Sequence, residues 1–245
     1  MRLDLATWGE VEAYLAQSNA PGILVPVGST EQHGPMGLIG TDALCAEAVA
    51  RGAGERTGAY VAPTLAYTPA PFNMGFPGTI SVSERTFRGL FSDILHALAA
   101  QGFLRIYVLN AHGANLAPMQ AVAESHTKAQ VRIRSWWEFE AVNALRRGYY
   151  GEWEGLHATP SEVAITQALY RTVPPGAAAE PPRALGPAEL AARAGDKHGT
   201  SDQHRAEFPD GRVGAHSALA RPEHGFAILD AAITALAADY AAFTG

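Results

Sequence analysis

Gly22-Ile23-Leu24-Val25-Pro26-Val27-Gly28 runs directly into Ser29-Thr30-Glu31-Gln32-His33-Gly34-Pro35, and this junction decides the fold. The first seven residues carry no charge and are bounded by glycines, so they read as a buried strand. Outward from it the pattern repeats. Residues 59–63 give a second strand, weakened by Pro63. Residues 104–109 give a third and 131–136 a fourth. Helical stretches lie between them. Residues 42–56 are rich in Ala, Leu and Glu, and residues 83–101 open with Ser83 and carry Phe87, Leu90, Phe91, Ile94, Leu95 and Leu98 at helical spacing. Residues 115–128 and 161–171 read alike, and residues 222–243 form a long closing helix with Pro222 in its first turn. Strand alternating with helix predicts an α/β fold, a three-layer α/β/α sandwich around a mostly parallel central sheet.

The length of 245 residues suits a single domain over positions 1–245. Hydrophobic residues make up 47% and charged residues 17%, which provides a full core and excludes a disordered chain. Lys and Arg number 18 against 24 Asp and Glu, a formal charge of −6, so no nucleic-acid partner and no anionic membrane surface is expected. Cys45 is the one cysteine, which rules out an intrachain disulfide. The start, Met1-Arg2-Leu3-Asp4-Leu5, has an early acid and no apolar run, so it is not read as a signal peptide. No stretch is read as reaching the roughly 20 apolar residues of a spanning helix. The expectation is a soluble, cytoplasmic protein with no membrane partner.

Three polar clusters carry the chemistry. Ligands of open parallel sheets collect beyond the carboxyl ends of the strands, and two of the clusters follow strands directly. In the first, Glu31 and His33 are two residues apart, so an extended segment points both the same way, and Asp42 follows in Gly40-Thr41-Asp42 at the start of a helix. A Glu, a His and an Asp meeting at a strand end make a mixed nitrogen and oxygen site suited to Zn, Mn or Fe. The competing reading is a polar turn, with Asp42 favoured by the helix N-terminus alone. The second cluster, Asn110-Ala111-His112-Gly113-Ala114-Asn115, places His112 at the same sheet edge, with the asparagines supporting ligands or capping a helix. The third, Gly151-Glu152-Trp153-Glu154-Gly155-Leu156-His157-Ala158-Thr159-Pro160-Ser161-Glu162, begins a helix near Pro160. Glu162 then sits in a first turn, where an acid also complements the helix dipole. Trp136, Trp137 and Trp153 lie near polar residues and either cover a small planar substrate or pack in the core or between subunits.

The run Gly28-Ser29-Thr30-Glu31-Gln32-His33-Gly34-Pro35 with Gly40-Thr41-Asp42 resembles the signature of the creatininase family. Phe76-Pro77-Gly78-Thr79, the His112 segment, His157-Ala158 with Glu162, and Arg221-Pro222-Glu223-His224-Gly225 resemble further family elements in the same order. The resemblance runs from about residue 20 to the C-terminus and implies a dinuclear site with two divalent ions per subunit, Zn and/or Mn, with Fe a further option. It implies that Glu31 and His112 hold one ion and His33 the other, with Asp42 bridging. Where creatininase itself has a further Glu ligand, this chain has Ala114, and Glu162 is expected to fill the gap. His157 matches a family histidine that shuttles a proton, and Trp137 and Trp153 match aromatic positions near the substrate. Asn73 and Met74, just before Gly75-Phe76-Pro77, are further candidates to shape the pocket.

Apart from Ala114, the departures from the pattern fall beside the ligands: Met36 follows Gly34-Pro35, Thr159-Pro160 follows His157-Ala158, and Val163-Ala164 follows Glu162. They leave the ligand shell intact and open the substrate question. The implied reaction is hydrolysis of a non-peptide C–N bond in a small, cyclic amide, by a hydroxide shared between two ions. The alternatives are removal of a formyl group from a nucleotide precursor, for which Arg146, Arg147 and Arg205 are the candidate basic residues, and cleavage of a modified peptide. A non-catalytic scaffold is a third. A nucleotide-binding sandwich lacks its glycine-rich phosphate loop here. The resemblance also implies a small-molecule substrate and a homo-oligomer, a hexamer.

Overall fold

The computed structural model describes residues 1–195 and 197–245. Its sheet holds β1 (Gly22–Val27), β2 (Tyr60–Val61), β3 (Arg105–Asn110) and β4 (Gln130–Ser135), in the spatial order β2-β1-β3-β4 with every pairing parallel. Register aligns Val27 with Asn110 and Asn110 with Ser135, so the three longer strands end level at one rim.

Alternation along the strands separates two cores. Ile23, Val25 and Val27 with Ile106 and Val108 face one layer, formed mainly by α3 (Glu84–Gln101) and α4 (Leu116–Ser125), with α1 (Trp8–Leu15) at its edge. Leu24, Tyr107 and Leu109 face the other, formed by α2 (Thr41–Thr57), α5 (Glu140–Tyr150), α6 (Pro160–Leu169) and α9 (Pro222–Thr244). Both sheet faces are therefore covered, which explains why β1 is apolar at every position instead of alternating. The expected α/β/α sandwich with a parallel sheet is what forms. On α3, Phe87, Phe91, Leu95 and Leu98 make the buried stripe, while Leu90 turns outward. Ser83 caps that helix by accepting from the Thr86 amide, and Gly102 ends it at φ 108°, a left-handed conformation that suits glycine.

The packing of α9 against α6 is the closest helix contact on this side. A Cβ at Gly225 would overlap the Ala164 carbonyl, so glycine is what lets the two backbones meet. The sequence reading that no stretch is apolar enough to span a membrane needs correction here. The 23-residue α9 reaches a mean hydropathy of 1.5 over an 18-residue window. In the fold one face, with Ile228, Leu229, Ala232, Leu236 and Tyr240, is buried against the sheet layer, and its Asp230 and Asp239 pair with Arg56 and Arg132. One face packs on the core, the rest is partly or fully exposed, and the many small alanines raise the hydropathy.

The Gly-, Asp- and Ser-rich sequence between α6 and α9 holds two further α-helices. Ser201–Glu207 forms a helix, α8, with a Thr200 capping box, and Pro187–Arg193 forms α7. Position 196 lies outside the described residues. The helix α8 packs on the turn Pro71–Gly75, and His204 is 2% exposed among Phe72, Phe76 and Phe208. A short helix with a Thr cap was hidden by the surrounding Gly and Asp residues.

Candidate metal centre

The rim where β1, β3 and β4 end carries all three polar clusters. Glu31 and His33 follow β1 as an extended turn, and Asp42 opens α2. Gly28 lies so close to the backbone of Asp42 and Ala43 that a Cβ there would collide with it, so the strand end and the helix start are held together. His112 follows β3, and Glu162 is the third residue of α6. All five side chains are buried, none more than 8% exposed.

Their atoms converge in overlapping triads. Glu31, Asp42 and His112 bring one ligand atom each within 4.8 Å of one another, and so do His33, Asp42 and Glu162. Asp42 belongs to both: Oδ2 lies 3.2 Å from His112 Nδ1, and Oδ1 lies 2.9 Å from His33 Nε2. Glu31 Oε1 is 3.0 Å from His112 Nδ1, and Glu162 Oε1 is 3.8 Å from His33 Nε2. Glu31, His33 and His157 form a further triad.

The opposite ring nitrogens fix the tautomers. A carbonyl only accepts, so His33 Nδ1–H donates to Glu31 O at 3.1 Å and His112 Nε2–H to Pro69 O at 2.9 Å. His157 Nε2–H donates to Gln32 O at 2.7 Å, which leaves its Nδ1 facing Glu31 Oε1 at 3.7 Å. Each histidine thus turns one nitrogen inward and ties the other to the backbone, the arrangement that orients metal-binding imidazoles. Asn73 Nδ2 donates to Glu31 Oε2 at 2.8 Å, and its Oδ1 accepts from Gln32 Nε2 at 2.7 Å.

These residues fit divalent cations on their own chemistry. Glu31 Oε1 and Asp42 Oδ2 are buried and accept no hydrogen bond from the described residues. Buried carboxylate oxygens without a donor are costly, and a cation removes that cost. The field of the protein says the same. Burial alone would lower the His33 imidazole, but the Asp42 and Glu162 carboxylates outweigh it and hold it up at about 10. Burial works to raise the Asp42 carboxyl, and His33 and His112 hold it below the usual range. Burial pushes Glu162 up to about 7 against the pull of His33. His157 is pushed down to about 3 by burial and by His33, so it stays neutral at physiological pH. The pocket calls for positive charge between the carboxylates and keeps one neutral imidazole beside them.

A cavity of about 310 Å³ opens over this bed, with Asp42, His112, His157 and Glu162 in its lining. Trp137 lines it as well. Trp136 also borders it but is 1% exposed and packs in the core. Trp153 packs its ring against His216 at 5.8 Å, two residues before Gly155 of the cavity lining. Asn73 lies beneath Glu31 and not on the cavity wall. Of the three candidate basic residues, Arg146 lines the cavity, Arg147 pairs with Glu140 at the surface, and Arg205 donates to the Gly75 carbonyl.

Sequence reasoning passed over three participants. Gln32 links Asn73 and the Gly211 carbonyl beneath the site, and its position inside the first cluster was the available signal. Glu154 is buried against Arg146 at 2.8 Å and accepts from Ser161. Arg193, at the end of α7, lines the cavity mouth, and nothing local in the sequence marked it.

Comparison with known proteins points one way. The family model described as creatininase, creatinine amidohydrolase, matches residues 4–240. A creatinine amidohydrolase of Pseudomonas putida is 31% identical over 182 residues, 67% of this chain and 70% of that protein. A mycofactocin precursor peptide peptidase of Mycolicibacterium smegmatis is 34% identical over 153 residues, 60% of this chain and 61% of that protein. A solved structure described as Creatininase Mn superimposes with a TM-score of 0.81 at 26% identity, covering 100% of this chain and 99% of its own.

Proposed function

The chain belongs to the creatininase family of metal-dependent amidohydrolases, and from that premise we propose that it hydrolyses a non-peptide C–N bond in a small, cyclic amide at the rim of its sheet. One observation carries the proposal: two buried triads share Asp42, and two of their carboxylate oxygens accept no hydrogen bond from the described residues. Glu31, Asp42 and His112 would hold one divalent ion and His33, Asp42 and Glu162 a second, Zn or Mn fitting the oxygen and nitrogen donors and Fe less specifically. Bound there, such ions polarise an amide oxygen and make a water acidic enough to ionise near pH 7.

The remaining work falls to the protein. His157 is neutral, with Nε2–H fixed on Gln32 O, so Nδ1 is free to take a proton from the attacking water and give it to the leaving nitrogen. Asn73 holds the Glu31 carboxylate in place. Trp137 supplies a flat wall for a planar substrate, while the buried floor limits competing water. Trp153, packed against His216, stands close in sequence to the cavity-lining Gly155 and is the second aromatic proposed near the substrate.

Cleavage of a modified peptide is the second reading, favoured by the similarity to the mycobacterial peptidase. The proposal includes a single catalytic domain and a homo-oligomer, hexameric by family resemblance, for which exposed Leu5 and Trp8 offer apolar surface. It also includes a cytoplasmic location, which suits the lone buried thiol of Cys45. Protein stripped by a chelator and assayed on creatinine, hydantoins, lactams, formamides and short peptides tests the activity. Hydrolysis lost on stripping and regained with Zn or Mn supports the proposal, and full activity without metal contradicts it.

A further inference from the structure

Two arginines stand in the same cavity as the candidate ligands, on elements far apart in sequence. Arg146 comes from α5 and Arg193 from the end of α7. Arg146 spends Nε on Glu154 at 2.8 Å and Nη1 on Asn143 at 2.9 Å. Arg193 spends Nη2 on Glu207 at 2.5 Å, and its Nε is buried with no hydrogen-bond acceptor among the described residues. A buried guanidinium N–H without an acceptor is costly, and the cavity it borders is where an acceptor can come from. Both side chains are mostly covered, at 22% exposed for Arg193 and 16% for Arg146, so neither is a solvated surface charge.

Arg146 pairs with Glu154, and Arg193 pairs with Glu207, which it shares with Arg183 at 3.2 Å; Arg183 also pairs with Glu189 at 2.7 Å. These pairs balance in charge, and what remains open is the hydrogen-bonding capacity of Arg193 Nε. The acids on the cavity floor, Asp42 and Glu162, are the ones assigned to cations. With those committed, an anion entering the cavity meets guanidinium groups on its wall.

Resting on the amidohydrolase reading, we propose that the substrate carries an oxyanion, a carboxylate or a phosphate, and that Arg193 receives it with Arg146 beside it. The planar guanidinium fork matches either group, and a charged hydrogen bond of this kind fixes which way round the amide lies over the ligand bed. A neutral ring such as an unsubstituted lactam leaves the Arg193 N–H unsatisfied and is the poorer ligand.

Calorimetric titration of the metal-loaded protein with inorganic phosphate, and separately with N-acetylglycine, tests this without requiring turnover. Metal content is measured on each sample, so loss of the ions is seen separately from loss of anion binding. Arg193→Gln is expected to weaken one or both probes at least tenfold at unchanged metal content, and Arg193→Lys to recover part of the loss. A loss confined to phosphate assigns a phosphate ester, and a loss confined to N-acetylglycine assigns a carboxylate. Affinity for both probes within twofold of the parent protein overturns the proposal, whether or not the protein hydrolyses amides.

Discussion

His33, His112 and His157 each give one ring nitrogen to a main-chain carbonyl, and that shared habit separates ligand geometry from ordinary polar packing. It also sets different tasks. The first two lie beside Asp42, within 3.2 Å, whereas the carboxylate facing His157 among the described residues is Glu31, at 3.7 Å. His157→Gln is therefore expected to keep its metal and lose roughly 10²–10⁴-fold in turnover, the range of a general acid–base group, read by kinetics beside elemental analysis. Asn73→Leu should act on the ions instead. It removes the hydrogen bond that holds Glu31, and metal affinity should fall about 10–100-fold in competition with a chelator. The ligand residues were legible in the sequence because Glu31, His33 and Asp42 sit in one short motif. How the neighbours orient them was not: Asn73 was picked out only as shaping the pocket and the Gly211 carbonyl not at all, because both reach the site through folding, over separations of 42 and 179 residues.

Among the elements, α6 has two duties at one residue. The Glu162 side chain closes the capping box by accepting from the Thr159 amide at 2.5 Å, and the same oxygen faces His33. Glu162→Gln separates the duties. A glutamine still accepts the amide, so the unfolding free energy should stay within about 1 kcal/mol of the parent. The lost charge should empty the His33–Asp42 position, seen as less metal bound per chain. The α6–α9 contact gives a stability prediction of the opposite kind. Gly225→Ala forces a methyl into the Ala164 carbonyl and should cost about 1–3 kcal/mol in denaturant unfolding with little direct effect on the ligands. Strands and long helices were readable because both faces of β1 are buried and α3 keeps a clean stripe. The helices α1, α5, α7 and α8 were not, being short or polar, and so Arg193 was out of view.

At the scale of the whole molecule, the parallel sheet brings residues from five parts of the chain to one edge and covers both faces with helices. The carboxylates there are buried, and a His33 imidazole held up at about 10 by Asp42 and Glu162 gives a sign for the pH dependence of the proposed metal binding. A metal must displace the proton His33 carries between Asp42 and Glu162. Metal uptake should release protons and weaken steadily as pH falls, which titration in buffers of different ionisation heat detects. The most direct measurement is anomalous diffraction from crystals grown with Zn or Mn. The account predicts a peak among Glu31, Asp42 and His112 and a second among His33, Asp42 and Glu162. A map without a peak at either position, with metal bound elsewhere or nowhere, would contradict it.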